Sequence, residues 1–332
     1  MHPRQPCLNR NRARACAAAL LAAPLLTTPA LAQTYPAKPI RFIIPFAPGG
    51  GNDIVSRVLC QQLSDAFGVP VLPENRAGAG GTIGTDLVAK APPDGHTLGM
   101  GSTSTFSINP WLQKGIPYDP VRDFTPITTA ASNPYVMAVN AAVPARTLGE
   151  FIALAKSRPG TLHFASAGNG STIHLAGEIF KSMAGVNIVH VPYKGMGPGI
   201  TDLIGGQVQL MFGTLIAVTP AAKNNQVRLL AISSQKRSPL MPSLPTFDEA
   251  GVKGYFVAGW FGVVAPAGTP RPVVDRLYKE IARALQSKAV TDRLVNEGAD
   301  VGGEPPEEFA ATIKSDLAKW GKAVREAKVT LE

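Results

Sequence analysis

Cysteine is nearly absent from this sequence. The 332 residues contain three cysteines, and two of them, Cys7 and Cys16, lie in an N-terminal segment with the pattern of a secretory signal peptide. Cys60 is then the one cysteine of the exported protein, which excludes an internal disulfide even in an oxidising compartment. Stability must therefore come from packing, and the apolar helical pattern around Cys60 predicts a core position for it.

The apolar run near the N-terminus is too short to span a bilayer. The run 15–26 follows four arginines and no acidic residue, and Ala30-Leu31-Ala32 matches the small-x-small pattern of a cleavage site. We therefore predict a signal peptide at 1–32, cleavage after Ala32, and a periplasmic protein that begins at Gln33. An uncleaved membrane anchor is the alternative.

Acidic residues are fewer than basic ones, but the excess is small. The chain has 23 Asp and Glu against 32 Lys and Arg, a net charge of +9, and the predicted mature part keeps +9 − 4 = +5 over 332 − 32 = 300 residues. The basic residues are scattered and form no stripe with interleaved aromatics, so we expect no nucleic-acid partner. A weak positive field favours anionic solutes, and 300 residues suit two domains.

Motifs for nucleotides and metals are missing too. The segments 78–83 and 168–173 lack the third glycine of the dinucleotide fingerprint, and no phosphate-loop Gly-Lys-Ser/Thr motif occurs. The histidines of the predicted mature chain form no close metal-ligand pair: His96, His163, His174 and His190. We therefore expect no cofactor and no metal.

A hydrolytic triad is one catalytic hypothesis that the residues allow. Ser171 and His174 are one helical turn apart, and Asp202 is available as a third member. No Gly-x-Ser-x-Gly elbow surrounds Ser171, and His174 fits equally well as a histidine on a helix face. A periplasmic hydrolase thus stays open as an alternative, although we expect a protein that is not an enzyme.

Short apolar runs alternate with helical patterns along most of the chain, which predicts an α/β fold with mainly parallel strands. Strands are predicted at 40–45, 69–72, 97–101, 136–139, 162–165, 188–191, 208–212, 227–232 and 261–265. Helices are predicted to begin at Asn52 or Asp53, at Leu148 with Thr147 as its cap, and at Pro272, Ala289 and Pro306.

Several predicted strands end in glycine-rich or hydroxyl-rich loops that open directly into helices. Such a junction leaves unpaired backbone N–H groups at the positive end of the helix dipole, which attracts anions. Two loops show this best, Pro48-Gly49-Gly50-Gly51-Asn52-Asp53 and Ala167-Gly168-Asn169-Gly170-Ser171-Thr172. A single loop of this kind is as well explained by a tight turn with a helix cap, but several together favour capture of a carboxylate from two sides.

Several residues near these loops can have either a structural role or a role in ligand binding. Asp53 is expected to cap its helix and to pair with Arg57 one turn later. Tyr193 and Lys194 precede Gly195, and a phenol beside an ammonium suits a carboxylate, although Lys194 fits a solvated surface position equally well. The apolar side chains of Phe46, Phe212 and Trp260 are candidates for the rest of a pocket. Asp53, Tyr193 and Lys194 are therefore candidate binding residues together with the two loops.

The order and spacing of several short motifs resemble one known family. They are Tyr35-Pro36-x-Lys38-Pro39-Ile40, Pro48-Gly49-Gly50-x-x-Asp53-x-x-x-Arg57, Glu74-Asn75-Arg76-x-Gly78-Ala79-Gly80-Gly81, Pro93-Asp94-Gly95-x-Thr97-Leu98, Gly168-x-Gly170-Ser171, Val191-Pro192-Tyr193-Lys194-Gly195 and Asp202-Leu203-x-Gly205-Gly206-Gln207-Val208. From about 35 to about 327 the chain resembles Bug-type receptors, the extracytoplasmic solute-binding components of tripartite tricarboxylate transporters.

The resemblance implies a periplasmic-binding-protein fold of the second class, with a ligand cleft between two lobes. Lobe 1 would comprise 33–134 plus 257–332, and lobe 2 would comprise 135–256. Ligand carboxylates would be held by backbone amides and water at Ala47 to Asp53 and at Ala167 to Thr172, flanked by Thr103, Ser104 and Tyr193.

The same resemblance implies a small carboxylate ligand, membrane permease subunits as partners and a monomeric receptor. The ligand stays open among di- and tricarboxylates, acidic amino acids and aromatic acids. A periplasmic sensor that presents its ligand to a membrane histidine kinase is the alternative. Asn52 falls at a variable position of the family's first loop and is expected to tune specificity. Pro73 stands where the family continues a β-branched strand, so that strand is expected to end early.

Overall fold

Ten strands and ten helices alternate in the part of the chain that the computed structural model describes, residues 35–296 and 298–326 with the isolated residue 2. The strands are β1 (Ile40–Ile44), β2 (Val71–Asn75), β3 (Thr97–Ser102), β4 (Phe124–Asn140), β5 (His163–Ser166), β6 (Val189–Pro192), β7 (Leu210–Thr214), β8 (Val227–Ile232), β9 (Ala258–Pro266) and β10 (Asp300–Val301). The predicted signal peptide, its cleavage site, Cys7 and Cys16 lie outside the described residues.

The helices follow most strands directly, as the alternating pattern predicts. They are α1 (Gly51–Phe67), α2 (Thr82–Ala89), α3 (Asn109–Leu112), α4 (Leu148–Ser157), α5 (Thr172–Ala184), α6 (Met196–Ile204), α7 (Leu215–Lys223), α8 (Arg271–Gln286), α9 (Lys288–Asn296) and α10 (Pro306–Glu326). A wide turn of π-helix, Ser104–Ile108, precedes α3. None of the helices within the described ranges combines the length and apolarity that a membrane crossing needs.

The strands form a mixed sheet in the order β2-β1-β3-β9-β4-β7-β5-β6, with β8 and β10 also paired to β4. Four of the nine strand pairs among the described residues are parallel and five are antiparallel. The prediction of mainly parallel strands is therefore wrong. The cause is β4, a 17-residue strand that runs antiparallel to every strand it pairs with.

Strand β4 joins two halves of the sheet. Its residues from Phe124 to Pro134 pair with β9, whereas those from Tyr135 to Val139 pair with β7. We call β1, β2, β3, β9, β10 and the start of β4 the first half, and β5 to β8 with the end of β4 the second half. Because the described residues from Tyr35 onward pack as one compact unit, the division into lobes at 134/135 and 256/257 stays a prediction.

Each half buries its own apolar core. In the second half, the rings of Phe164, Phe180 and Phe212 are fully buried and contact one another in the pairs 164/212 and 180/212. In the first half, α1 and α8 cover the sheet, and Cys60 lies in this core as predicted. Burial raises the pKa of the Cys60 thiol to about 12, which leaves it unreactive at neutral pH.

The boundaries of strand β2 and helix α1 differ from the prediction. Strand β2 continues through Pro73 to Asn75, so the expected early end at the proline is wrong. Proline is tolerated there because β2 is at the edge of the sheet, where one side of the strand has no partner to receive an N–H group. Helix α1 begins at Gly51, one residue before the predicted range.

The predicted cap of α4 is confirmed and gives a test of the local structure. Thr147 accepts a hydrogen bond of 3.2 Å from the Glu150 N–H, and Glu150 accepts one of 2.6 Å from the Arg146 N–H. We expect Thr147→Ala to lower the free energy of unfolding by about 1 kcal/mol, measured by urea denaturation. Thr201→Ala, at an exposed position inside α6, is the control and should change it by less than about 0.5 kcal/mol.

Candidate functional site

Four strand-to-helix junctions converge on one small cavity. The junctions join β1 to α1, β5 to α5, β6 to α6 and β7 to α7. The first supplies four lining residues, the second supplies two, and the third and fourth supply one each. The cavity has a volume of about 30 Å³ and is lined by Phe46, Gly50, Gly51, Asn52, Ser104, Tyr135, Ala167, Ile173, Met196, Thr214 and Phe261. Residues from both halves of the sheet therefore enclose it.

Three of the four helices that begin here lack a side-chain cap. The N-cap residues Gly50 of α1, Gly195 of α6 and Thr214 of α7 have no capping hydrogen bond from a side chain. The first N–H groups of a helix have no partner within the helix, and its N-terminal end carries about half a positive charge. The cavity is therefore surrounded by backbone donors that suit an anion.

The Asp53 carboxylate holds the first loop, residues 48–53, in place without lining the cavity. It accepts hydrogen bonds from the Gly49 N–H at 3.0 Å, from Arg57 Nε at 2.9 Å and from Asn75 Nδ2 at 2.9 Å, so the predicted pairing with Arg57 is confirmed. Burial raises the pKa of this carboxyl, but the bonds from Arg57, Asn75 and Gly49 outweigh burial and lower the pKa below its usual value. Asp53 stays ionised and fixes the loop, while its own acceptor sites are occupied.

Several backbone N–H groups of the second loop, residues 167–172, and of the first turn of α5 already donate to protein groups. The Gly168 N–H donates to Ser166 Oγ at 3.0 Å, and the His174 N–H donates to Ser171 Oγ at 3.2 Å. The Thr172 N–H donates at 2.9 Å to Ser104 Oγ, which comes from the first half of the sheet. Ser104 and Thr172 also contact each other through their hydroxyls at 2.9 Å. The start of α5 is thus capped from both halves.

Further contacts join the loops of the two halves around the cavity, and most of them involve backbone atoms. The Ala47 N–H donates to the Lys194 carbonyl at 3.1 Å, and Gln113 Nε2 donates to the Asn169 carbonyl at 3.4 Å. Gly197 lies so close to the loop that a Cβ on it would overlap the Pro48 carbonyl oxygen. A cavity of about 30 Å³ has room for about one water molecule, so a larger solute requires the two halves to separate.

Tyr193, Lys194 and Thr103 do not line the cavity. The Tyr193 hydroxyl donates to Asp202 at 2.7 Å, and burial together with that carboxylate raises the pKa of Tyr193 to about 12. The Lys194 side chain is exposed, in agreement with the alternative of a solvated lysine. Thr103 Oγ1 accepts the Trp260 N–H at 2.9 Å. The structure therefore gives these three side chains partners or positions outside the cavity.

The apolar lining differs in part from the sequence prediction. Phe46 lines the cavity, but Phe212 lies in the core of the second half and Trp260 donates from its indole N–H to Asp316 at 2.8 Å. Sequence reasoning missed Met196 and Thr214, although both stand at strand-to-helix junctions and the rule used for the other loops would find them. It also missed Tyr135 and Phe261, which adjoin the cavity from strands β4 and β9 and carry no local signal.

The side chains of the hypothetical triad do not assemble. Ser171 Oγ accepts the His174 backbone N–H as a helix cap, and the His174 ring accepts the Gly170 N–H on Nδ1 at 3.4 Å. Asp202 is bonded to Tyr193 and not to the imidazole. The geometry thus contradicts the hypothesis of a Ser171–His174–Asp202 nucleophile. No group of three or more His, Cys, Asp or Glu among the described residues is placed to hold a metal ion.

Two stacked imidazoles support the second loop. The rings of His174 and His190 lie 4.0 Å apart, and His190 Nε2 is 2.6 Å from the same Ser166 hydroxyl that accepts the Gly168 N–H. Burial, and then the neighbouring His174 and Lys181, lower the pKa of His190 to about 3. Burial also lowers the pKa of His174, although Glu178 opposes the shift. Both rings are therefore neutral at pH 7.

Neutral imidazoles at this position predict a loss of stability on mild acidification. Both imidazoles bind protons below about pH 6.5 in the unfolded chain but only at lower pH in the folded protein. Their contribution to the free energy of unfolding is therefore complete above pH 6.5 and is lost as the pH falls. We expect the free energy of unfolding, measured by urea denaturation, to decrease from pH 7 to pH 5. The decrease should stay below about 1.4 kcal/mol per pH unit for each ring, because each ring takes up at most one proton.

The variant His190→Phe separates this effect from other titrations. A phenyl ring keeps the stacking against Phe164, which now lies 4.9 Å from the imidazole, but it binds no proton. Its unfolding free energy should therefore change less between pH 7 and pH 5 than that of the wild-type protein. An unchanged dependence on pH would show that the imidazole pair does not titrate in this way.

Comparisons with known proteins agree with this geometry. The model of the tripartite tricarboxylate transporter family receptor, TctC, matches residues 55–329. The chain is 37% identical to protein BugT of Bordetella pertussis, over 98% of this chain and 100% of that protein. The R. palustris protein Rpa4515, solved with adipate, is 36% identical with a TM-score of 0.87, over 89% of this chain and 99% of that one.

A second solved relative has another carboxylate bound. MatC from Rhodopseudomonas palustris, solved with malate, is 33% identical with a TM-score of 0.84, over 87% of this chain and all of that one. The periplasmic binding protein BugD is 36% identical with a TM-score of 0.86, over 90% of this chain and all of that one, which confirms the predicted α/β fold of the periplasmic-binding-protein type. The chain belongs to the tripartite tricarboxylate transporter receptor family, whose members are periplasmic solute-binding proteins.

Proposed function

We propose that this protein captures a small carboxylate in the cavity between the two halves of its sheet and delivers it to membrane permease subunits. The supporting observation is the convergence of four helix N-termini on one cavity, three of them without a side-chain cap. The adipate and malate in two related structures have the same chemistry. The protein acts as a receptor in the periplasm and carries out no reaction on its ligand.

The two halves of the sheet are the two lobes of this receptor. Residues 33–134 and 257–332 form the first lobe, residues 135–256 form the second, and the hinge lies where β4 changes partners at Pro134 and Tyr135. The solute enters when the lobes are apart, and its carboxylate takes backbone donors of the loops 47–53 and 167–172. Closure then brings Ser104 onto Thr172 and Pro48 onto Gly197.

Ligand capture is tested by thermal unfolding of the purified, refolded protein with a panel of small carboxylates. A solute at about 100 times its Kd adds about 2.7 kcal/mol of stability, which raises the unfolding midpoint by several degrees. Matched amides of the same acids are the control and should give no shift. If a cooperatively unfolding protein responds to no acid, carboxylate capture is wrong, and a sensor of another ligand becomes the better reading.

A glycine in α6 gives a test of lobe closure. Alanine suits the helix at position 197, but its Cβ would overlap the Pro48 carbonyl in the closed form. We expect Gly197→Ala to weaken binding of a panel ligand by about tenfold or more, with the unfolding free energy of the ligand-free protein changed by less than about 1 kcal/mol.

Gly149→Ala in α4 is the matched control, because a Cβ there meets no atom within 4 Å. Its Kd should equal that of the wild-type protein. Wild-type affinity in Gly197→Ala would show that ligand binding does not use the closed arrangement described here.

The partner is tested separately: uptake of the solute by vesicles that contain the permease should require this protein, whereas stimulation of a membrane kinase would favour the sensor.

A further inference from the structure

A groove with a volume of about 1100 Å³ runs along strand β8 in the second half of the sheet. It shares no lining residue with the small cavity described above. We infer that this groove binds an extended, acidic segment of another protein, which adds to the edge of β8 as a further strand. The inference goes beyond the proposed capture of a carboxylate and does not depend on it.

The groove exposes one edge of β8. Four consecutive residues of the strand line it, Val227, Arg228, Leu229 and Leu230. Because successive side chains of a strand point to opposite faces of a sheet, four neighbours border the same groove only when it follows the edge of the strand. Strand β4 pairs with the opposite edge. The backbone of β8 therefore presents N–H and C=O groups to the groove, and an added strand can pair with them.

One end of this edge is already paired with an extended segment of the same chain. The Ile232 N–H donates to the Pro245 carbonyl at 2.9 Å, and the Ile232 carbonyl accepts the Phe247 N–H at 3.0 Å. The resulting parallel bridge between Ile232 and Thr246 is the one pairing that this edge makes within the described ranges. The edge from Val227 to Leu230 is left open, which is room for a strand of about four residues.

Three basic side chains border the groove. Arg146 and Lys223 are exposed, and neither forms an ion pair with a carboxylate of the described residues. The Arg228 guanidinium donates to backbone carbonyls, the shortest of these bonds being 2.8 Å. The one acid among the lining residues that the structure describes, Glu249, is paired with Arg237 at 2.8 Å. The groove therefore carries an excess of positive charge.

This charge and the apolar walls decide which occupant fits. Leu148, Leu240 and Leu244 line the groove, and Leu240 is 39% exposed. A small anion would leave this apolar surface and the strand edge uncovered. A second copy of this protein would bring an equally cationic groove against the first, which is unfavourable. An extended segment that alternates acidic and apolar side chains pairs with the edge, contacts the apolar walls and neutralises the cations.

Synthetic peptides test the inference by fluorescence polarisation with the purified protein. The probe is a labelled, end-capped octapeptide of alternating glutamate and valine, compared with one of alternating lysine and valine. We expect the acidic peptide to bind saturably and at least about tenfold more tightly than the basic one. Two further acidic peptides carry backbone N-methyl groups, one on every glutamate and one on every valine. At least one of these should bind about tenfold more weakly, because it lacks the N–H donors that face β8.

Charge reversal locates the bound peptide. Lys223→Glu and Arg146→Glu should each weaken binding of the acidic peptide by about fivefold or more, because an attraction becomes a repulsion. Lys314→Glu, at an exposed position of α10 in the first half, is the matched control and should bind like the wild-type protein. Thermal unfolding checks that all three variants fold. Hydrogen exchange of the β8 amides should slow when the peptide binds.

Several outcomes would overturn the inference. These are an acidic peptide that does not bind, a lysine peptide that binds equally well, and charge-reversal variants that both keep wild-type affinity. Undiminished binding of both N-methylated peptides would exclude strand addition to β8. A dimer in sedimentation velocity that Lys223→Glu dissociates would show that a second copy occupies the groove instead. Carboxylate capture stands or falls separately, because the cavity has other lining residues.

Discussion

Backbone N–H groups at the start of a helix have no partner within that helix, and this protein brings four such starts to one buried cavity. The four helices differ in how these N–H groups are satisfied. At α5 the donors are satisfied by hydroxyls, Ser171 from the helix itself and Ser104 from the other half of the sheet. At α1, α6 and α7 no side chain caps the helix. The uncapped ends are what an anionic solute can use, and the capped end instead ties the two halves together.

Charges near the cavity are kept behind the loops rather than inside them. Asp53 is ionised, but its oxygens are occupied by Gly49, Arg57 and Asn75, so it shapes the first loop without facing the solute as a free charge. On the other side, the imidazoles of His174 and His190 are neutral and support the second loop through Gly170 and Ser166. The potential at the cavity is therefore set mainly by helix ends, so an anion bound as we propose would need no arginine clamp.

The loops of the site were predictable from sequence, because glycine and hydroxyl residues after a short apolar run have a local physical meaning. The same holds for the Thr147 cap and the Asp53–Arg57 pair. Strand β4 was found only at its end, since its first part contains Thr, Ser, Asn and Pro and gains its pairing from β9, more than 100 residues away in the chain. Phe261 reaches the cavity through that pairing, and Tyr135 reaches it through the pairing of β4 with β7. Both pairings are long-range, so no local pattern could assign these residues. The hydrogen bond from the Thr172 N–H to Ser104 Oγ also depends on tertiary contact alone.

The contacts that close the cavity are few and largely made by backbone, as between Ala47 and Lys194 and between Pro48 and Gly197. Such contacts immobilise few side chains, so they order little and also contribute little stabilisation. Contacts of this kind suit the proposed capture, because a solute that prefers the closed form can then shift the balance toward it. The glycine at 197 matters because even one methyl group there would separate the surfaces.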